Sequence, residues 1–112
     1  MELDIRAKGF ELTAAIEQHI RRRLQFALDW ARHGIGRVTV RLSDENGPRG
    51  GLDKRCAIVV SLPAQSELVI EDTRDDIYRA IDHAVERLGR NLAKRLARSR
   101  AHAKIRPALV LS

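Results

Sequence analysis

Apolar and polar residues alternate from the start of the chain. Leu3, Ile5 and Ala7 are separated by Asp4, Arg6 and Lys8, the period of a strand with one buried face. After Gly9 and Phe10 the period changes. Thr13 is a good N-cap, and Ile16, Ile20, Leu24, Ala27, Leu28 and Ala31 then recur at helical spacing. The spacing predicts a helix that runs to about Arg32 and stops at Gly34 and Gly36. Val38, Val40 and Leu42 alternate with Arg37, Thr39 and Arg41 in a second strand. Residues 43–53 read as a turn-rich loop, with Asn46-Gly47-Pro48 and Gly50-Gly51. Residues 55–62 form a third strand with both faces fairly apolar, and Pro63-Ala64-Gln65-Ser66 makes a tight connection. Leu68 and Ile70 lie on one face of a fourth strand that ends at Glu71.

Thr73-Arg74-Asp75-Asp76 then resembles a capping box, with Asp76 in place of the usual Glu. Ile77, Ala80, Ile81, Ala84, Val85, Leu88, Leu92 and Leu96 mark one continuous apolar stripe, predicting a second helix over about 74–100. Residues 101–112 show no clear periodicity. Pro107 argues against helix there, and Leu109-Val110-Leu111 is a candidate docking segment. The predicted order is β-α-β-β-β-α. Strands one and two, joined by a helix, should be parallel through a right-handed crossover, and strands two to four should form an antiparallel meander. Both helices must bury an apolar stripe. The fold class is therefore α+β: a four-stranded mixed sheet with two helices packed on one face. At 112 residues one domain is expected, over 1–100, with a tail over 101–112.

Charge changes the picture most. From Arg87 to Arg106 the chain carries eight basic residues and no acidic one: Arg87, Arg90, Lys94, Arg95, Arg98, Arg100, Lys104 and Arg106. The other positions hold thirteen basic and fifteen acidic residues, so the formal net charge of +6 comes from this segment. At about 100° per residue, Arg79, His83, Arg87, Arg90, Lys94 and Arg98 fall within an arc of about 100° beside the apolar stripe. That placement predicts a basic stripe along the groove or shoulder next to helix one. Arg23 is the member of Arg21-Arg22-Arg23 nearest the apolar side and extends the same surface, whereas Arg49, Lys54 and Arg55 are a separate, weaker candidate. A solvated helix face ordinarily mixes signs. A single-signed face on a folded domain points to a polyanion.

Other chemistry finds little support. Cys56 is the only cysteine, so no internal disulfide can form, and its apolar strand context reads as a small buried hydrophobe. His19, His33, His83 and His102 lack metal-ligand spacing, so no metal or cofactor is expected. The glycines match neither dinucleotide nor phosphate-loop spacing. Glu71, Asp72, Asp75 and Asp76 could look like a carboxylate cluster, but their place at a helix start favours capping. Trp30, one of four aromatics with Phe10, Phe26 and Tyr78, reads as core or edge packing. A sheet almost free of aromatics favours recognition of folded RNA through phosphates and shape. No stretch approaches the roughly 18 apolar residues of a membrane span, and no secretory pattern opens the chain, so a cytoplasmic protein is expected.

Two stretches carry a resemblance. Glu71-Asp72-Thr73-Arg74-Asp75-Asp76-Ile77-Tyr78-Arg79-Ala80-Ile81-Asp82, followed by Arg87-Leu88-Gly89-Arg90-Asn91-Leu92-Ala93-Lys94, resembles the second helix of the bacterial ribosome hibernation-promoting and ribosome-associated inhibitor family. Ile5-Arg6-Ala7-Lys8-Gly9-Phe10-Glu11-Leu12-Thr13 is similar to that family's first strand and the start of its first helix. The resemblance spans roughly residues 2–98. It implies a factor that binds 16S rRNA of the small ribosomal subunit between head and body, blocks the mRNA and tRNA sites, and silences ribosomes under stress. It places RNA-binding residues at Arg23, Arg87, Arg90 and Lys94, with Arg98 continuing the stripe; Arg79, on the same helical arc, is a sixth candidate. The second half of helix one, Gln25-Phe26-Ala27-Leu28-Asp29-Trp30, is less basic than the family usually is, and the loop over 46–54 is longer than in many members. No second, ribosome-dimerising domain is expected.

The expectation is a non-enzymatic ribosome-binding translation inhibitor with no small-molecule substrate. A basic regulatory module for another structured RNA or an acidic protein is the alternative. An enzyme would need an accessible, activated Cys56 thiol or a working cluster at Asp72 to Asp76.

Overall fold

The computed structural model describes the backbone of residues 2–44, 53–63 and 66–111, and the side chains within these as far as Arg98, that of Arg32 excepted. Alternation builds the sheet. Strands β1 (Glu2–Lys8), β2 (Arg37–Asp44), β3 (Lys54–Leu62) and β4 (Ser66–Arg74) hydrogen-bond in that spatial order. β1 pairs with β2 in parallel, and β2 with β3 and β3 with β4 antiparallel. The register sets Leu3 against Val38, Ile5 against Val40, Val40 against Ile58, and Ile58 against Ile70. With a side-chain period of two, these pairs put one apolar set drawn from all four strands on a single face, while Ala57, Val59 and Val69 stand on the other.

Helices α1 (Ala14–Leu28) and α2 (Ile77–Leu111) cover that face. Ile16, Ile20, Leu24 and Leu28 of α1 and Ala80, Ile81, Ala84, Val85, Leu88 and Leu92 of α2 are buried in one cluster with Val38, Val40, Ile58 and Val60. The α+β class, element order and two-helix face are those the sequence predicts. α1 also begins as expected: the Ile16 N–H donates to Thr13 Oγ1 at 3.2 Å. It ends four residues sooner than expected, and a 3₁₀ turn over Asp29–Gly34 completes the run.

α2 departs from the sequence reading at both ends. β4 continues to Arg74, where Thr73 pairs with Arg55 of β3. Thr73 is thus committed to the sheet and does not cap the helix. Asp76 is the cap instead: its Oδ1 accepts from the Tyr78 N–H at 2.8 Å, and its carbonyl accepts from the Ala80 N–H at 3.0 Å. At the other end the helix continues through residues 101–111, where a non-helical tail was expected. An interior proline removes one donor and crowds the preceding turn, at a cost of about 3 kcal/mol. The alanines, lysine, arginine and leucine around Pro107 are strong helix formers and carry the helix across it. Leu92 is fully buried, Leu96 half-buried, and Ala97 and Arg98 exposed, so the end of the helix reaches beyond the sheet. The loop over 45–52, including Arg49, lies outside the described residues.

The ends of β2 and β3 are tied by charge. Lys54 Nζ lies 2.9 Å from Asp44 Oδ2 and 3.3 Å from Asp53 Oδ1, and Asp53 is fully buried. The hydrogen bond to Asp44 holds the ammonium pKa above its ordinary value. Next to this junction the chain leaves β1 at Gly9, whose φ is +88°. A Cβ there would lie 3.1 Å from the Asp44 carbonyl oxygen. Gly9→Ala should therefore lower the unfolding free energy by about 1–2 kcal/mol, read as a lower urea midpoint at unchanged m.

Cys56 is fully buried on β3. Burial, and secondarily the negative charge of Asp72, push its thiol from the ordinary value of 9.0 up to about 12. Because the folded pKa is the higher one, the thiol's contribution to stability is whole below about pH 9 and is lost as pH rises toward 12. Stability should fall across that window by up to about 1.4 kcal/mol per pH unit from this group. Denaturant titrations of wild type and Cys56→Ala between pH 8 and 11 measure it. The expected result is a shallower slope in the variant, whatever its absolute stability.

Candidate nucleic-acid interface

The buried stripe fixes the rotation of α2, and the basic stripe follows from it. Arg79, His83, Arg87, Arg90, Lys94 and Arg98 are all exposed. At about 1.5 Å per residue they extend over roughly 28 Å of helix. Arg79, Lys94 and Arg98 have no ion-pair partner among the described residues. Arg90 has Glu86 one turn back at a loose 3.6 Å.

Arg87 is held differently. Its Nη1 donates to the Glu71 carbonyl of β4 and lies 3.7 Å from Asp72 Oδ2. Asp72 is nearly buried and also takes Arg74 Nε at 2.7 Å, a hydrogen bond that raises the Arg74 pKa. Further along the helix, Arg95 Nη1 donates to the Glu67 carbonyl at 2.9 Å. Arg87 and Arg95 therefore pin α2 to β4 while leaving much of each side chain in solvent. Asn91 Nδ2 donates to the Arg87 carbonyl at 2.8 Å on the same outer surface.

These contacts correct the expected position of the stripe. The α2 residues facing α1 are Asp82, Val85, Glu86, Gly89 and Ala93. Among the described residues of the stripe, Arg90 alone lines the groove between the helices. The stripe occupies the outward face of α2, between that groove and the β4 edge. A helical projection gives the arc but not the neighbour on each side of it.

Arg23 sits across the groove from Arg90. Its Nε is 3.2 Å from Asp82 Oδ1 but misaligned, and it makes no hydrogen bond. Asp82 is shared with His19, whose Nε2 is 2.7 Å away and whose ring stands edge-on to Tyr78 at 5.0 Å. Of the other basic candidates, Arg21 pairs with Glu17 at 3.0 Å, Lys54 is taken by Asp44 and Asp53, and Arg55 pairs with Glu71. Lys54 and Arg55 are committed to structure.

Of the core or edge packing expected for Trp30, the structure shows the edge. Trp30 is 52% exposed and Phe26 86% exposed, neither in the core. Trp30 Nε1 donates to the Ala27 carbonyl at 2.8 Å, which fixes the indole at the end of α1. The signal was in the sequence. Phe26 lies about 200° round the helix from Leu24, well off the apolar stripe.

A catalytic reading gains nothing from the geometry. The Cys56 thiol is buried with a raised pKa, Asp72 is held by Arg74, and Asp76 caps α2. Among the described residues no group of three potential metal ligands is present, and no helix is long and apolar enough to cross a membrane.

Comparison with known proteins agrees with the geometry. No curated protein sequence matches this chain at significance. Among solved structures it is similar to a ribosomal subunit interface protein from Coxiella burnetii, with a TM-score of 0.75 and 21% identity over 87% of this chain and 99% of that one. It is also similar to the Protein Y N-terminal domain from Thermus thermophilus, with a TM-score of 0.69 and 25% identity over 84% of this chain and 98% of that one. The family model described as Sigma 54 modulation protein / S30EA ribosomal protein matches residues 3–100. A match over nearly the whole fold, together with the shared architecture, places the chain in the Sigma 54 modulation protein / S30EA ribosomal protein family.

Proposed function

We propose that this protein is a ribosome-associated factor of the cytoplasm that silences translation by occupation rather than catalysis. The small ribosomal subunit is the partner. The outward face of α2 lies against 16S rRNA in the decoding channel, where the bound domain excludes mRNA and tRNA. The RNA-binding residues are Arg79, Arg87, Arg90, Lys94 and Arg98, with Arg23 joining from α1. Residues 1–100 form the binding domain, and 101–111 prolong its second helix. Family membership and the similarity to a subunit interface protein support the ribosome as target.

The observation that carries the reading is the unpartnered part of the basic stripe, Arg79, Lys94 and Arg98. Three cations on one rigid helix face, with no acidic partner among the described residues, form an electrostatic surface without an internal purpose. Folded RNA supplies phosphates to match it, and contact of this kind depends on charge rather than sequence.

Lys94 and Arg98 are the residues to change, because Arg87 also anchors α2 to β4. Lys94→Glu/Arg98→Glu should abolish co-sedimentation with purified 30S and 70S ribosomes while leaving the circular dichroism spectrum and melting temperature unchanged. Single alanine substitutions should flatten the log–log salt dependence of binding by roughly 0.7–0.9 per lost phosphate contact. Salt-independent association, or a ribonuclease-resistant complex with an acidic protein, would overturn the proposal.

A further inference from the structure

Phe26 of α1 and Trp30 of the 3₁₀ turn that follows it are the two most exposed large aromatics among the described residues. With α2 they enclose an open groove of about 530 Å³. Its floor is apolar, formed by Ala27, Val85 and Ala93. Gly89 keeps it deep, since a Cβ there would meet nothing within 4 Å. Two guanidinium groups, Arg23 and Arg90, and one carboxylate, Glu86, complete the lining. Each keeps exposed surface: Arg23 encloses its Nε 3.2 Å from Asp82 but leaves much of its side chain in solvent, and Arg90 holds Glu86 only loosely.

A flat apolar slot with aromatic walls and cations at its lip matches one chemical shape, a nucleotide. The base is planar and stacks on aromatic faces, and the phosphate beside it is anionic. A second copy of this chain fits poorly. A two-fold contact through the groove would bring Arg23 and Arg90 of one protomer against the same charges of its partner. The groove also opens next to the basic stripe, with Arg90 common to both, so a strand lying on α2 can turn a residue into it.

We propose that this groove takes one unstacked base of an RNA strand, held between Phe26 and Trp30, with the adjoining phosphate on Arg23 and Arg90. This rests on the RNA-binding reading above and deepens it. It adds a contact with a base, beside a stripe that touches phosphates alone.

Trp30 is the only tryptophan in the chain, so its emission reports directly on the groove. The protein is titrated at low salt with single-stranded hexaadenylate and with inorganic polyphosphate of matched charge. Hexaadenylate should quench Trp30, and polyphosphate should not. Phe26→Ala removes an exposed wall, and Gly89→Leu fills the slot. Each should weaken hexaadenylate binding about tenfold without changing its salt slope, because stacking releases no counterions. Both should also weaken co-sedimentation with 30S subunits.

Unchanged Trp30 emission with hexaadenylate, or wild-type affinity in both variants, would overturn the inference. If 30S binding persists in that case, the ribosome reading stands and the groove fails. If hexaadenylate quenches but wild-type protein ignores 30S subunits, the groove stands and the ribosome reading fails. Quenching that depends on protein concentration alone would identify a second copy as the occupant and overturn the proposal.

Discussion

The apolar stripe of α2 against β3 and β4 fixes how that helix is turned about its own axis. Ala84, Leu88 and Leu92 cannot leave the sheet without exposing the centre of the core. A shift of one residue would rotate the helix by about 100° and carry Lys94 toward the strands. The direction of every charge on α2 is therefore set by side chains that bear none. Arg87 and Arg95 reinforce the setting from the edge of the sheet, where they reach carbonyl oxygens of β4. The result is a cationic surface that needs little ordering on binding, because the backbone beneath it is already rigid.

Much of this was legible in the sequence because the signals were local and periodic. Alternation at Leu3, Ile5 and Ala7 and again at Val38, Val40 and Leu42 gave two strands and their buried face. Thr13 gave the start of α1 because nothing else competes for its side chain. The errors have a common cause in non-local structure. Thr73 had the spacing of a cap, but its pairing with Arg55 across the sheet claimed it first, and the task passed to Asp76. The wheel placed the basic arc correctly, yet which flank meets α1 and which meets β4 depends on how two helices lie on one sheet. Pro107 on its own predicts a break, but the helix formers around it outweigh the loss of one donor. The angular position of Phe26 on α1 sets it outside the core, whereas the exposure of Trp30 depends on the 3₁₀ turn that ends the helix.

The carboxylates divide into two kinds. Asp72 and Asp53 are buried or nearly so, and each is matched by a cation from a neighbouring position, Arg74 or Lys54. These pairs are local to one strand end, and it is Asp44, through Lys54, that ties β2 to β3. Asp82 and Glu86 lie on the α1 side of α2 and keep that flank from becoming uniformly positive. The acidic residues thereby confine the positive field to the outward face. That is how a protein with only a modest net charge can offer a strongly cationic surface.

A four-stranded open sheet has two borders, and β4 forms one of them. A bare border is a template on which a foreign strand can grow. Guanidinium groups of Arg87 and Arg95 sit on carbonyls of Glu71 and Glu67, four residues apart along that border. An incoming strand would have to displace both and meet two fixed positive charges on arrival. The helix that carries the basic stripe thus also guards the sheet against self-templated growth.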